Sequence, residues 1–189
     1  IGASFMPAHE GRFRHEIGVD KLMWGSDYPH LEGTWPNTLK ALNETFGSYP
    51  EHEIRAILGV RRTVAVVGCS PDPGRDSHRI ARLWLERGHR VIPVNPQAET
   101  VFGELCRPSL RAITEHVDVV DVFRRPEAVP AIVEDAIAIG AAVLWLQLGV
   151  VHVEAARRAE QAGLTVVMDR CPAIEYPRLY GPHARGATS

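Results

Sequence analysis

The stretch that most restricts the fold runs from Thr63 to Ser77, Thr-Val-Ala-Val-Val-Gly-Cys-Ser-Pro-Asp-Pro-Gly-Arg-Asp-Ser. Val64 to Val67 is a run of small and β-branched apolar residues with no polar alternation, the pattern of a strand covered on both faces in a parallel sheet. Gly68 ends it. The turn formers Ser70-Pro71-Asp72-Pro73-Gly74 follow, and Ser77 takes the N-cap position before an amphipathic run from Arg79 to Arg87. Strand, tight loop and helix in that order aim backbone N–H groups and the positive end of a helix dipole at one spot. Arg75 adds a permanent cation with forked donors, so the segment suits a phosphate or pyrophosphate rather than serving only as a connecting turn.

The dinucleotide fingerprint Gly-x-Gly-x-x-Gly is not met, because Ser70 and Pro73 stand where its second and third glycines belong. The next strand, Arg90 to Val94, ends in Asn95-Pro96 and not in the acidic residue that would hold ribose hydroxyls. An oxidoreductase using NAD or NADP is therefore the disfavoured alternative.

From Arg61 onward strands and helices alternate. Strands are expected at Val64–Val67, Arg90–Val94, Val117–Val122, Ala142–Gln147 and Thr165–Met168. Helices are expected at Ser77–Arg87, Pro126–Ile139 and His152–Ala162, the last two closed by Gly140 and Gly163, with an irregular connection over Val101–Ser109. This order predicts an α/β, Rossmann-like, doubly wound five-stranded parallel sheet with a ligand crevice at the carboxyl ends of the strands. Those ends carry Gly68-Cys69-Ser70, Asn95-Pro96, Phe123-Arg124-Arg125, Gln147-Leu148-Gly149 and Asp169-Arg170-Cys171-Pro172. The set is rich in arginine and amide groups and lacks a serine, histidine and acid arrangement for nucleophilic catalysis, so it reads as built to bind, with no catalytic residue assigned. His78 and His89, beside helix ends, read as surface groups.

A chain of 189 residues with a formal charge of −2 holds one ordinary domain plus an appendage and offers no electrostatic reason to bind nucleic acid or an anionic membrane. Cys69, Cys106 and Cys171 are widely spaced, as in a cytoplasmic protein with reduced thiols. No secretory signal is evident, and the most apolar segment, Ala136–Val151, is shorter than the ~20 residues a bilayer helix needs.

Residues 1–60 differ in texture, with scattered aromatic, His and Pro residues and one clear helix at about Trp35–Phe46. Val19-Asp-Lys-Leu-Met-Trp-Gly-Ser-Asp-Tyr-Pro-His30, with Glu32–Asn37 and Glu53–Leu58, resembles the C-terminal end of amidohydrolase-2 family enzymes, which are metal-dependent TIM barrels. The resemblance makes Asp27 the counterpart of a metal-site aspartate. A catalytic metal needs about three protein ligands, the family's early His-x-His pair has no match, and His9, His15 and His30 read as loop histidines, so no metal site is assigned. About 60 residues also cannot close a barrel that takes 200 or more. Residues 1–60 thus read as a non-functional barrel remnant fused to a second domain at 61–189.

Residues from about Arg61 to Leu179 resemble the small CoA-binding domain proteins, whose Rossmann-like fold is related to the CoA-binding domain of the succinyl-CoA synthetase α subunit. The motifs are those at 66–77, Val-Ile-Pro-Val-Asn-Pro at 91–96, Val-Asp-Val-Val-Asp-Val-Phe-Arg-Arg at 117–125, Leu-Trp-Leu-Gln-Leu-Gly at 144–149 and Val-Val-Met-Asp-Arg-Cys-Pro-Ala-Ile-Glu at 166–175. The resemblance implies noncatalytic binding of coenzyme A or an acyl-CoA. Its phosphates would lie on the loop Gly68, Cys69, Ser70, Pro73, Arg75 and Ser77, and its nucleotide beside Asn95 and Pro96. Phe123 and Arg124 would form the groove wall, unless Phe123 serves core packing, and Gln147 and Gly149 would lie beside the pantetheine path. Arg125 reads as a solvated arginine and Cys171 as an inert thiol. There is no ATP-grasp module or phosphohistidine loop, so a ligase-type partner or a second copy of the chain is the partner implied.

Overall fold

The computed structural model describes residues 2–3, 23–24 and 48–181, and the chain divides into two compact units, Ile1–Arg55 and Ala56–Ser189. In the first, β1 (Gly2–Ala3) and β2 (Met23–Trp24) form a short parallel pair. His9, His15, Asp27, His30 and the helix expected at Trp35–Phe46 lie outside the described residues, and the barrel remnant is unconfirmed. Helix α1 (Ser48–Leu58), which the sequence pattern did not reveal, runs across the division between the units.

The second unit is built on β3 (Thr63–Val67), α2 (Asp76–Glu86), β4 (Arg90–Val94), the short strands β5 (Thr100–Val101) and β6 (Glu104–Leu105), and β7 (Val119–Val122). Then come α3 (Val129–Ala138), β8 (Val143–Leu146), α4 (Val153–Gln161), β9 (Thr165–Val167) and α5 (Pro172–Tyr180). The sheet is parallel, in the order β4-β3-β7-β8-β9. Its strands are covered on both faces, which is why they read as unbroken apolar runs: Val64, Val66, Val120, Leu144 and Leu146 are fully buried. The chain moves outward from β3 to β4 and then returns to the other side of β3 to lay down β7. The connections leaving β3 and β7 therefore diverge, opening the crevice where ligands sit in such sheets.

The five expected strands are all present, with ends shifted by a residue or two. The Val101–Ser109 connection is not irregular throughout. It contains the antiparallel β5–β6 hairpin, turned by Phe102 (φ 55°) and Gly103 (φ 79°), the left-handed pair that a two-residue hairpin turn requires. Phenylalanine rarely adopts that conformation, so the turn carries no ordinary sequence signal. The expected helix at 126–139 begins as a 3₁₀ turn, Pro126–Ala128. Helix α5 went unread because Pro177 sits inside it, and an internal proline normally argues against a helix.

Candidate functional site

The loop between β3 and α2 is shaped by its own side chains. Ser70 Oγ accepts from the Asp72 N–H at 3.1 Å and Asp72 Oδ1 accepts from the Gly74 N–H at 2.9 Å, two successive side-chain turns that use the Ser-Pro-Asp-Pro-Gly sequence. Arg75, not Ser77, is the N-cap residue, with extended backbone (φ −85°, ψ 143°) and no side-chain cap bond. Ser77 lies inside the first turn, buried, where its Oγ accepts from the Ser70 N–H at 3.1 Å. It ties the loop to the helix, a different job from the capping expected of it.

His78 and His89 are also placed differently from the expectation, since both are buried. The His78 ring bonds the Ser70 carbonyl through Nδ1 at 2.9 Å, and a carbonyl can only accept, so Nδ1 carries the proton and Nε2 is left facing Arg82 at 3.3 Å. The Phe102 ring lies 4.3 Å from that imidazole, so the β5–β6 hairpin backs the loop. Asn95 closes the other side: its Nδ2 donates to the Cys69 carbonyl at 2.8 Å and its Oδ1 accepts from the Gln97 N–H at 2.9 Å. Cys69 is fully buried, and burial, then Cys106 and Asp121, push its thiol up to about 12. Pro73 and Pro96 are exposed, and the Arg75 side chain is free to reach outward, 75% exposed with only a 4.0 Å approach to Asp72.

Gly68 has φ +88°, and a Cβ there would lie 3.1 Å from both the Phe123 carbonyl oxygen and Arg124 Cδ. The glycine thus lets the β7 exit run close beside the β3 exit. Next to that approach lies a cleft of about 460 Å³ whose lining includes Ile80, Phe123, Arg124, Gln147, Gly149 and Cys171. A neighbouring hollow of about 780 Å³ shares Phe123, Arg124 and Arg125. The structure thus gathers Phe123, Arg124, Gln147 and Gly149 in one cleft with Gly68 at its edge. Cys69, Ser70, Pro73, Arg75, Ser77, Asn95 and Pro96 do not line the cleft; they form the loop and the β4 exit. Phe123 is half-buried and faces the cleft, so it is wall more than core. Burial raises the Cys171 thiol, which leaves it protonated and a weak nucleophile.

Arg125 is exposed at the start of the Pro126–Ala128 turn, as a solvated arginine should be, and it also borders both hollows. One group escaped the sequence reading. Asp121 is fully buried behind the cleft, where it accepts from Trp84 Nε1 at 2.8 Å and from Gln147 Nε2 at 2.6 Å. Its signal was a lone carboxylate in the apolar run Val119–Val122. Loss of water pushes the Asp121 carboxyl up to about 7, against the opposing hydrogen bonds from Gln147, Trp84 and the Val122 backbone.

The protein-family profile described as CoA binding domain matches residues 62–177. YneT of Bacillus subtilis (strain 168) is 39% identical over 119 residues, covering 63% of this chain and 88% of YneT. A solved structure of a protein from Pyrococcus horikoshii OT3 superposes with a TM-score of 0.66 at 41% identity, covering 68% of this chain and 91% of that one. The ADP-forming acetate–CoA ligase I of Archaeoglobus fulgidus is 32% identical over 74 residues, 39% of this chain and 11% of the ligase. None of these matches supports an amidohydrolase origin for residues 1–60 or the use of NAD(P).

Proposed function

This chain belongs to the CoA binding domain family, and from that premise we propose that its second unit binds coenzyme A or an acyl-CoA without transforming it. The observation that carries the reading is the cleft at the divergence of β3 and β7, floored by Gln147, walled by Phe123 and bordered by Arg124 and Arg125. A crevice of several hundred Å³ with an apolar wall and a few convergent polar groups is what a cofactor arm requires.

In this reading Ser70, Arg75 and the amides of the Gly68–Ser77 loop take the phosphates, with Cys69, Pro73 and Ser77 shaping the loop. Ser70 Oγ accepts within the chain and so keeps its proton to donate, while Arg75, largely exposed and only loosely paired with Asp72 at 4.0 Å, can fork onto a phosphate. Asn95 and Pro96 border the nucleotide, Phe123 and Arg124 wall the groove, and Gln147 and Gly149 accompany the pantetheine arm. The protonated Cys171 supports binding over covalent chemistry. Because the match to the acetate–CoA ligase spans only 11% of that enzyme, any ligase chemistry would come from a ligase-type partner.

Calorimetric titration with CoA, beside NAD and ADP, tests the reading. CoA is expected to bind well above ADP, and Arg75→Ala is expected to weaken CoA by about 1.5–3 kcal/mol, the range of a charge-assisted hydrogen bond. A preference for NAD, or no CoA binding, would hand the site to the redox alternative.

A further inference from the structure

Gln147 is the polar side chain at the floor of the cleft, and its orientation is set from behind. Trp84, on α2, has an indole N–H that can only donate, and it occupies Asp121 Oδ2 at 2.8 Å. A proton arriving on Asp121 is therefore directed to Oδ1, the oxygen that faces Gln147 at 2.6 Å. An amide has both a donor end and an acceptor end, so Gln147 can answer either state of Asp121 by a half-turn about its last bond. With Asp121 ionised, Nε2 turns inward to the carboxylate and the carbonyl oxygen is left for the cleft. With Asp121 protonated on Oδ1, that O–H donates to the Gln147 oxygen and the NH₂ is left for the cleft.

We propose that Gln147 is the specificity-determining residue of the cleft and Asp121 its positioning residue, the proton on Asp121 deciding whether the ligand meets a hydrogen-bond acceptor or a donor. The ligand group selected in the ionised state is an N–H, as in the two amides of a pantetheine arm; in the protonated state it is a carbonyl, as in those amides or an acyl thioester. The ligand identity rests on the CoA reading above, whereas the exchange itself does not.

The surroundings suit such an exchange at neutral pH. The carboxyl is fully buried, and loss of water pushes it up to about 7. The titratable groups that sense its charge are the thiols of Cys69, after β3, and Cys171, before α5, both kept protonated by burial. From β3 and β8 the residues in register with Asp121 are Val66 and Trp145, neither of which titrates. Besides the Trp84 and Gln147 donors, the Val122 backbone N–H favours the ionised form, and desolvation opposes it.

Two measurements on the full chain test this. In the first, the Trp84 indole N–H resonance, assigned among the four tryptophans with Trp84→Phe, is followed by NMR from about pH 5.5 to about 8.5 without ligand. It is expected to titrate near neutrality and to stop titrating in Asp121→Asn, whose amide can accept from Trp84 and donate to Gln147 as the protonated acid does. In the second, CoA affinity is measured over the same range in wild type and Gln147→Leu, which share every titration of the CoA phosphates. The ratio between them is expected to change about three- to tenfold across neutrality, the worth of one hydrogen bond. An indole resonance indifferent to pH, or parallel affinity profiles in the two proteins, overturns the proposal. If Asp121→Asn does not fold, the Gln147→Leu comparison decides alone. A chain that binds no CoA yet shows the indole titration would refute the CoA reading and leave the Asp121–Gln147 exchange standing.

Discussion

His89 sits in a chain of three hydrogen bonds that leaves its imidazole no place for a second proton. The Arg62 N–H donates to Nδ1 at 3.2 Å, so Nε2 carries the hydrogen and donates to Tyr176 Oη at 2.6 Å, and Tyr176 in turn donates to the Leu58 carbonyl at 3.2 Å. Burial first, then the charges of Arg62 and Arg61, lower the imidazole from its usual 6.5 to about 4. The unfolded chain therefore binds the extra proton first. The stability His89 supports is intact above pH 6.5, declines as pH falls below it and is lost through about 4, a change on the order of 3 kcal/mol. Asp121 runs oppositely: its folded value is raised from 3.8 to about 7, so its contribution is full below 3.8 and lost as pH rises through 7. The His89 effect is thus best read as the difference in denaturant unfolding between wild type and His89→Gln across this range. A wild-type advantage that does not shrink on acidification would mean the imidazole is not held neutral. These two residues also show what a sequence conceals at this scale. The turn built by Ser70 and Asp72 was legible because its bonds join neighbours in the chain, whereas the burial of His89 is decided by Leu58 and Tyr176, the latter 87 residues away.

At the level of the elements, the strand–loop–helix unit was legible because each part carries a local signal: an apolar run, a glycine and a set of turn formers. What could not be read was the close approach of two exits. Gly68 is required less by its own loop than by Phe123 and Arg124 arriving from β7. Gly68→Ala is expected to lower the denaturant midpoint by an amount equivalent to about 1–3 kcal/mol, combining the cost of a positive φ with the 3.1 Å approach to the Phe123 oxygen, which is backbone and cannot step aside as Arg124 Cδ can. A midpoint unchanged by the alanine would mean the exits have room to spare. The β5–β6 hairpin was hidden for a related reason: Phe102 accepts a strained conformation, and its ring lies against His78, a partner no short-range pattern announces.

For the molecule as a whole, the family match begins at residue 62, yet the compact unit begins at Ala56. The difference is physical. Ile57 and Leu58 are buried within the unit, and Leu58 supplies the carbonyl that ends the His89–Tyr176 chain. A chain starting at Ala56 is expected to keep CoA affinity, while one starting at Arg61 should melt lower, losing about 1.5–3 kcal/mol for each of the two side chains removed. Equal melting temperatures would place the true boundary at the later position; lost affinity in the Ala56 form would give residues 1–55 a part in binding. Among the described residues no helix is long and apolar enough to cross a membrane.

Cys69 carries a last consequence. Its sulfur is sealed at the root of the loop that leaves β3, with the thiol held at about 12 and Asn95 clasping its carbonyl. An alkylating reagent can reach it only while that loop has swung away, so its slow modification, set apart from the more accessible Cys106 and Cys171, counts openings as a stopwatch counts seconds. Whatever settles on the loop should slow the hand.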